Sequence, residues 1–399
     1  MSGDKKRKLP EGWKWEKLEN IFELKYGSGL PKDIRKKGDF PVFGSNGIVG
    51  YNSESITNGS TIIIGRKGSA GEVVWSNVAC WPIDTTYYID ALKIKSNLKY
   101  IYYSLRFLKL SELDKSSAVP GLNRDDVYSI KICLPSTPED QDIIEADLEH
   151  RMAQVEKMRG AALRQKEGIS AMQGAILREV FQYKEGDELP EGWRWDMIEN
   201  HISNSQSGIA CGEKSRKAGY PHMRMNNISN NMKLDLKFLW RIPASEKEIE
   251  SYSLQKGDIL FNNTNSADLV GKSCLFDIDS NETFLFSNHL TRIRTRNSLD
   301  AKYLLYWINF LWQKQYFKDN CDKWVNQAAI RVEDWIFPFD IPLPPTIADQ
   351  LAITTKLERK MAELEKARQA TEKQFEAIEA LPGAILREVF DFVEENTGA

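Results

Sequence analysis

The chain has 399 residues, 41% hydrophobic and with 11 tryptophans, which is too apolar for disorder and too long for one ordinary core. Its formal net charge of −3 lacks the basicity of a free-standing nucleic-acid binder. No apolar run reaches the roughly 18 residues that a membrane span needs, and the five cysteines, odd in number and without a CxxC, argue against a disulfide frame or a zinc site. They read as reduced thiols of a cytoplasmic protein. The four histidines show neither HExxH nor HxH spacing, so no metal site is expected. MSGDKKRKLP is basic with no apolar segment behind it, unlike a secretory signal.

Taken in chain order, the sequence repeats itself. LPEGWKWEKLEN at 9–20 returns as LPEGWRWDMIEN at 189–200, with eight of twelve positions identical. Residues 132–159 align without gaps on 341–368, with 14 of 28 identical, and GAILREVF at 174–181 recurs unchanged at 383–390. The boundaries that follow are a first block (1–137), a central helix (138–186), a second block (187–345) and a distal helix (346–399). The expected fold is α+β: two similar blocks separated by two long helices that pair as an antiparallel intramolecular coiled coil, with pseudo-two-fold symmetry. Two similar surfaces of this kind suit a partner that is itself two-fold symmetric, and duplex DNA is the commonest. Charge is uneven along the chain. Residues 9–131 carry 17 Lys/Arg against 14 Asp/Glu, residues 138–182 carry 6 against 9, and residues 189–340 carry 19 of each. Partner subunits would therefore have to supply much of any phosphate contact.

The first block reads as short strands and turns. TIIIGRKGSAGEVVW (61–75) is a strand, a glycine-rich turn and a second strand, with Arg66, Lys67 and Ser69 at the tip. FGSNGIVGYN (43–52) places Ser45 and Asn46 in another turn, and AVPGLNRDDV (118–127) offers Asn123 and Arg124 before a short helix. Arg and Lys suit phosphates or guanine edges. Each loop alone would be an ordinary solvated turn; several basic or amide-bearing loops in one block suggest a binding face.

The central helix lacks proline from 139 to 181 and holds a heptad, with Leu148, Val155, Ala162, Ile169 and Ile176 at one core position. Ile144, Met158 and Met172 take the other, interrupted by Arg151 and Gln165. The distal helix repeats this with Leu357, Leu364, Thr371, Ile378 and Ile385, and with Ile353, Ala367 and Leu381 interrupted by Lys360 and Gln374. Each helix would run about 60–65 Å. A Gln165–Gln374 seam pair is expected to fix the register; dimerisation of two chains is the other use of such a seam. Thr137 and Thr346 are candidate caps, with Asp140 and Asp349 in the first turn. Pro382 replaces Gln173 and should kink or break the second helix before GAILREVF. The repeated octapeptide is either a partner-docking element, through Ile176, Leu177, Phe181, Ile385, Leu386 and Phe390, or the closure of each end of the rod.

The second block is rich in amides. RMNNIS, LFNNTNSADLVGKS, FSNHL and KWVNQAAI put Arg224, Asn226, Asn227, Asn262, Asn263, Thr264, Asn265, Asn288, His289, Asn326 and Gln327 in turns. Asn and Gln pair bidentately with adenine, and they are also ordinary turn residues. The blocks match at their rims and diverge in their loops, as two readers of different short sequences would.

These features together resemble a known family. LPEGW opening each block, IxLPxTxxDQ entering each helix, FPVFGSNGIVGY and IIIGRKGSAG in block 1 and GDILFNNTNSADLVGK in block 2 are similar to the DNA-specificity (S) subunit of type I restriction–modification enzymes. The resemblance implies that each block is a target-recognition domain reading half of a bipartite site in double-stranded DNA. It also implies that the helices set the spacer and dock two adenine-methyltransferase (M) subunits that use S-adenosylmethionine. Nuclease–translocase (R) subunits, with ATP and Mg, join that core. The S subunit itself does no chemistry and holds no cofactor. The residues agree: the PP dipeptide at Pro344–Pro345 lies between Leu343 and Thr346, outside any [DNS]PP[YFW] amino-methyltransferase tetrapeptide, and no GxxxxGK[ST] loop occurs. Any base flipping would use a partner's pocket. An interaction scaffold, or an unrecognised nuclease built from dispersed carboxylates, remains open at this point.

Overall fold

The computed structural model of the chain describes residues 7–113, 121–184, 186–211, 218–325 and 327–393. Four helices carry the architecture: α1 (Leu98–Phe107), α2 (Pro138–Phe181), α3 (Ala301–Gln313) and α4 (Ile347–Phe390). The chain divides into two compact units, residues 1–163 with 373–399, and residues 164–372. Each unit holds one block and one stretch of each long helix.

In the first unit the repeated opening becomes β1 (Lys14–Lys17). Strands β2 (Lys25–Tyr26), β3 (Phe40–Gly44), β4 (Gly47–Asn52), β5 (Thr61–Gly65), β6 (Val73–Ser76), β7 (Trp81–Pro82), β8 (Thr86–Ile89) and β9 (Lys131–Leu134) follow. They form a β2-β8-β5-β6 sheet, a β4-β3-β7 sheet, and a two-stranded closure in which β1 runs antiparallel to β9, Lys14 opposite Leu134. The second unit repeats this frame. Its strands are β10 (Arg194–Met197), β11 (Ile202–Ser207), β12 (Tyr220–Met223), β13 (Trp240–Ile242), β14 (Ile259–Asn262), β15 (Thr264–Asn265), β16 (Ser273–Leu275), β17 (Leu285–Phe286), β18 (Leu290–Thr295), β19 (Asp322–Lys323), β20 (Ala328–Ala329) and β21 (Asp340–Leu343). A β11-β18-β14-β16 sheet matches the first sheet, and β10 pairs with β21, Arg194 opposite Leu343.

The repeated motifs are thus the two ends of each block, hydrogen-bonded to one another. Gly12 and Gly192 have φ of +82° and +80°, and a Cβ on Gly12 would lie 2.3 Å from Ser136 Oγ, so the LPEGW turn needs glycine for both conformation and space. Thr137 and Thr346 cap their helices as expected, accepting from the backbone N–H of Asp140 (3.1 Å) and Asp349 (3.2 Å). The glutamine that follows in each DQ pair is buried. Gln141 Oε1 accepts from the backbone N–H of Asn97 (2.8 Å), and Gln350 Oε1 from that of Asp300 (2.8 Å). Asn97 and Asp300 are the N-caps of α1 and α3, so one glutamine locks each long helix to the helix of its block.

The octapeptide resolves as core rather than docking surface. In the first unit Phe390 packs on Tyr100 and Phe107 at 5.4 and 6.0 Å between ring centroids; Ile385 and Leu386 are buried with it. In the second, Phe181 packs on Tyr303 and Phe310 at 5.2 and 6.0 Å, with Leu177 buried and Ile176 half-buried alongside. Both receiving helices read KYxxYxxxF, a third repeat: Lys99, Tyr100, Tyr103 and Phe107 against Lys302, Tyr303, Tyr306 and Phe310. Two equivalent sockets require the same plug, which explains the letter-for-letter identity without a partner. Lys99 pairs with Glu149 at 3.0 Å and Lys302 with Glu358 at 2.5 Å, extending the match to the long helices.

Within each unit the long helices run antiparallel. Arg151 pairs with Glu388 (2.6 Å) and Arg159 with Glu379 (2.6 Å) in the first; Lys166 pairs with Glu372 (3.1 Å) and Lys360 with Glu179 in the second. These exposed pairs are screened by water and contribute little, so the apolar row beneath them supplies most of the attraction. That row is Leu148, Val155, Ala162 and Ile169 on α2, and Leu357, Thr371, Ile378 and Ile385 on α4, all buried. The second heptad row departs from expectation: Met158, Met172, Gln165 and Gln374 are exposed, so no buried glutamine pair sets the register. Ile144, Ile353 and Leu381 of the same row are half-buried against the two cores. Pro382 departs as well, because α4 continues through it to Phe390. Proline forfeits one backbone hydrogen bond, and the buried Ile378, Ile385 and Leu386 on either side hold the helix together.

Phe390→Ala and Phe181→Ala are each expected to cost about 3–5 kcal/mol in equilibrium denaturation. Arg151→Ala should cost less than about 1 kcal/mol by the same measurement.

Candidate nucleic-acid interface

Three loops of the first block converge. The β5–β6 tip is closed by Gly65 N–H donating to Glu72 O and Gly71 N–H to Gly65 O, both at 2.8 Å. Gly71 has φ +82°, and a Cβ there would lie 2.2 Å from Ser111 N, so the tight tip requires glycine. Leu122 N–H donates to Arg66 O at 3.0 Å and Lys67 bridges to Gly121, which brings Asn123 and Arg124 beside the tip. A Cβ on Gly68 would lie 3.5 Å from Ser45 Oγ, so the β3–β4 turn with Ser45 and Asn46 joins the cluster. Asn46, Lys67 and Ser69 are exposed; Ser45, Arg66 and Arg124 are half-buried. Asn123 is exposed, but its side-chain oxygen accepts from Asp125 N–H at 2.8 Å as a helix cap.

The arginines are held by rings. Arg66 lies 5.4 Å from the Tyr26 centroid and 5.9 Å from that of Tyr87; Arg124 lies 5.6 Å from Tyr26 and 5.8 Å from Tyr128. Arg66 Nε and Nη2 both donate to Asp84 O, at 3.2 and 2.6 Å. The Tyr87 phenol, whose hydroxyl donates to Leu122 O at 3.2 Å, is pushed up to about 12 by burial and then by its hydrogen bond with Tyr26. Tyr26 is 54% exposed and was not among the expected site residues. Its signal was an aromatic directly before a glycine-rich turn, KYGSG.

The second block builds its tip on the same backbone pattern. Asn262 N–H donates to Lys272 O, and Gly271 N–H to Asn262 O, both at 2.8 Å; Ile330 N–H donates to Asn263 O at 2.9 Å. Asn262 therefore occupies the place of Gly65, and Asn263 that of Arg66. Three expected base readers are corrected here. Asn262 is fully buried in β14, its amide atoms without a hydrogen-bond partner among the described residues. Asn263 is buried, donating to Thr291 Oγ1 (2.9 Å) and Asn288 O (3.2 Å) and accepting from Thr264 Oγ1 (2.8 Å). Asn227 is buried, donating to Asp235 O (2.7 Å) and Phe238 O (3.1 Å) and accepting from Arg224 N–H (2.9 Å). An amide spent on its own turns cannot pair with a base; Asn227 and Asn263 satisfy buried loop groups instead, and Asn262 is shut away from any ligand by its burial.

Asn226, Asn288 and Gln327 stay exposed, and Arg224, Thr264, Asn265 and His289 are half-buried. Asn265 Oδ1 accepts from Ser266 N–H at 2.8 Å. The Arg224 guanidinium lies 3.2 Å from the Trp240 ring centroid. Burial, then the Arg224 charge, lowers the His289 imidazole. Asn326 lies outside the described residues. Trp324 and Val325, which the motifs alone did not single out, are 62% and 97% exposed at the β19–β20 tip, where Trp324 N–H donates to Gln327 O at 2.7 Å. An apolar pair inside a polar turn, KWVNQ, was the available signal. No group of three or more His, Cys, Asp or Glu among the described residues is placed to hold a metal ion, and no helix there is long and apolar enough to cross a membrane.

Comparison with known proteins returns the resemblance read from the motifs. Residues 10–148 match the family model described as the type I restriction modification DNA specificity domain. The putative type I restriction enzyme MjaX specificity subunit of Methanocaldococcus jannaschii is 31% identical over 169 residues, 42% of this chain and 39% of that protein. The type I restriction enzyme EcoDI specificity subunit of Escherichia coli is 23% identical over 227 residues, 56% of this chain and 48% of that protein. The chain thus spans less than half the length of these curated relatives. A chain from work on the structural basis of complex assembly and conformational transition of the type I R-M system aligns at a TM-score of 0.74 and 19% identity, covering 96% of this chain and 98% of its own. The HsdS subunit from Thermoanaerobacter tengcongensis aligns at 0.54 and 20%, again over 96% and 98%. These likenesses show the fold: α+β, with two similar blocks and two long helices.

Asn263→Ala is expected to destabilise by about 1–3 kcal/mol, because it strands buried turn groups. Lys67→Ala should stay within about 0.5 kcal/mol of the parent protein. Chemical denaturation of the two variants checks both values.

Proposed function

We propose that this chain is the DNA-specificity subunit of a type I restriction–modification complex, with each block reading one half of a bipartite duplex site. The observation that carries the reading is a repeated frame with unlike tips. The same strand closure, glutamine lock and aromatic socket support Arg66, Lys67 and Arg124 in one block, and Asn265, Asn288 and Gln327 in the other. A good bidentate base contact discriminates by about 1–3 kcal/mol, so a few exposed groups per block suffice for a short half-site. The paired helices act as the ruler, spacing the half-sites by about one helical turn, roughly 10 bp between centres.

Chemistry falls to companions. The methyl donor, S-adenosylmethionine, belongs to two methyltransferase subunits, and ATP with Mg to nuclease–translocase subunits. This chain binds and orients the DNA. With the octapeptides committed to the cores, the apolar side chains left for docking on α2 are Ile143, Met158, Leu163 and Met172, all exposed. Those side chains also favour an assembling subunit over a lone DNA binder.

Adding one heptad to both long helices is expected to lengthen the spacer in the methylated sequence and to leave the half-sites unaltered. Methylome sequencing of cells carrying the variant decides; changed half-sites would refute the ruler. Met158→Glu with Met172→Glu should leave the melting temperature of the isolated chain in place and weaken its co-elution with methyltransferase subunits in size-exclusion chromatography. Undiminished co-elution would move the docking surface elsewhere.

A further inference from the structure

The two blocks differ in charge at equivalent positions. Tyr26 lies opposite Tyr87 where Ser207 lies opposite Thr291. Arg66 matches Asn263, and Arg124, two residues beyond Leu122, matches Val332, two beyond Ile330. In the second block the polar members bond to one another: Asn263 Nδ2 donates to Thr291 Oγ1 at 2.9 Å and lies 3.4 Å from Ser207 Oγ. That site is neutral and closed. In the first block the same place holds two guanidinium groups, both within 6 Å of the Tyr26 ring. Among the described residues, no carboxylate forms an ion pair with either.

The mode of attachment decides the chemistry. An arginine held by a carboxylate is neutralised by it; an arginine held by an aromatic face keeps its full charge. Two like charges on one exposed ring repel, and an anion bound between them relieves the repulsion. Arg66 has already given its Nε–Nη2 edge to Asp84 O, which fixes the guanidinium in place and leaves its Nη1 end for an incoming oxygen. A phosphate needs charge and a single N–H. Lys67, exposed on the adjoining tip, adds a third cation, and residues 9–131 carry a net +3 against zero for 189–340.

We propose that Arg66 and Arg124 form a phosphate clamp for the DNA backbone in the first block, with Tyr26 the positioning residue that holds both. The proposal rests on the function argued above and divides the labour: the first block grips the polyanion, and the second contributes little to that grip.

The test uses the complex reconstituted with its methyltransferase subunits. Its affinity is measured across a salt series for duplexes carrying the methylation-mapped site, and for the same duplexes with the first block's half-site scrambled. Arg124→Gln is expected to reduce the slope of log affinity against log salt by about 1, and to weaken both duplexes by the same factor. Tyr26→Ala should reproduce this loss and Tyr26→Phe should restore it, since the ring face suffices. Melting curves of the variants, expected to overlay the parent's, separate a lost clamp from a lost fold. An unchanged slope, weakening confined to the intact site, or failure of Tyr26→Phe to rescue would overturn the clamp while leaving the specificity-subunit reading in place. A parent complex with no affinity for either duplex would sink that reading, and the clamp with it.

Discussion

Each block is closed by hydrogen bonding between its first strand and its last, and everything else in the unit is hung on that closure. The last strand runs into a long helix within a few residues, so the strand pair fixes where the helix starts. A buried glutamine then fixes how the helix meets the block. Gln141 and Gln350 each place a side-chain oxygen on the backbone N–H of an N-cap residue, and removing the amide would leave that donor unpaired in a dry site. Strand, cap and glutamine sit within about ten residues in each copy, which is why IxLPxTxxDQ recurs as a unit.

On this common frame the two blocks diverge where side chains reach solvent. The β5–β6 and β14–β16 tips share their backbone hydrogen bonds, yet one spends its central position on an arginine against aromatic rings and the other on an asparagine sewn into its own turns. One backbone arrangement thus carries tips of unlike chemistry.

The frame was largely legible in the sequence. Repeats in LPEGW, in the helix entry and in GAILREVF marked the block ends, and Thr137 and Thr346 cap as their spacing implied. Harder to see was the socket for the octapeptide, because KYxxYxxxF recurs at its own offset of 203 and shares few letters. The candidate interface was legible only in part. Lys67, Asn288 and Gln327 are exposed as a contact residue must be, while Asn227, Asn262 and Asn263 are buried. Composition cannot separate an asparagine that faces a ligand from one that satisfies a turn, since both sit in polar loops between strands. Tyr26 and Trp324 escaped notice for the converse reason: aromatic residues read as core material until their surroundings are known. Pro382 reads as a breaker in the sequence because the apolar contacts on either side of it are set by the fold.

The socket in the first block is filled by Phe390, nine residues from the last position of the sequence given, while the block itself begins near residue 9. During synthesis that hydrophobic hollow, built on α1, stays open until Phe390, far downstream, has left the ribosome. The second block meets no such delay, because Phe181 emerges ahead of it. A message cut short between residues 373 and 390 would therefore release a chain whose second unit is complete and whose first unit leaves Tyr100 and Phe107 uncovered.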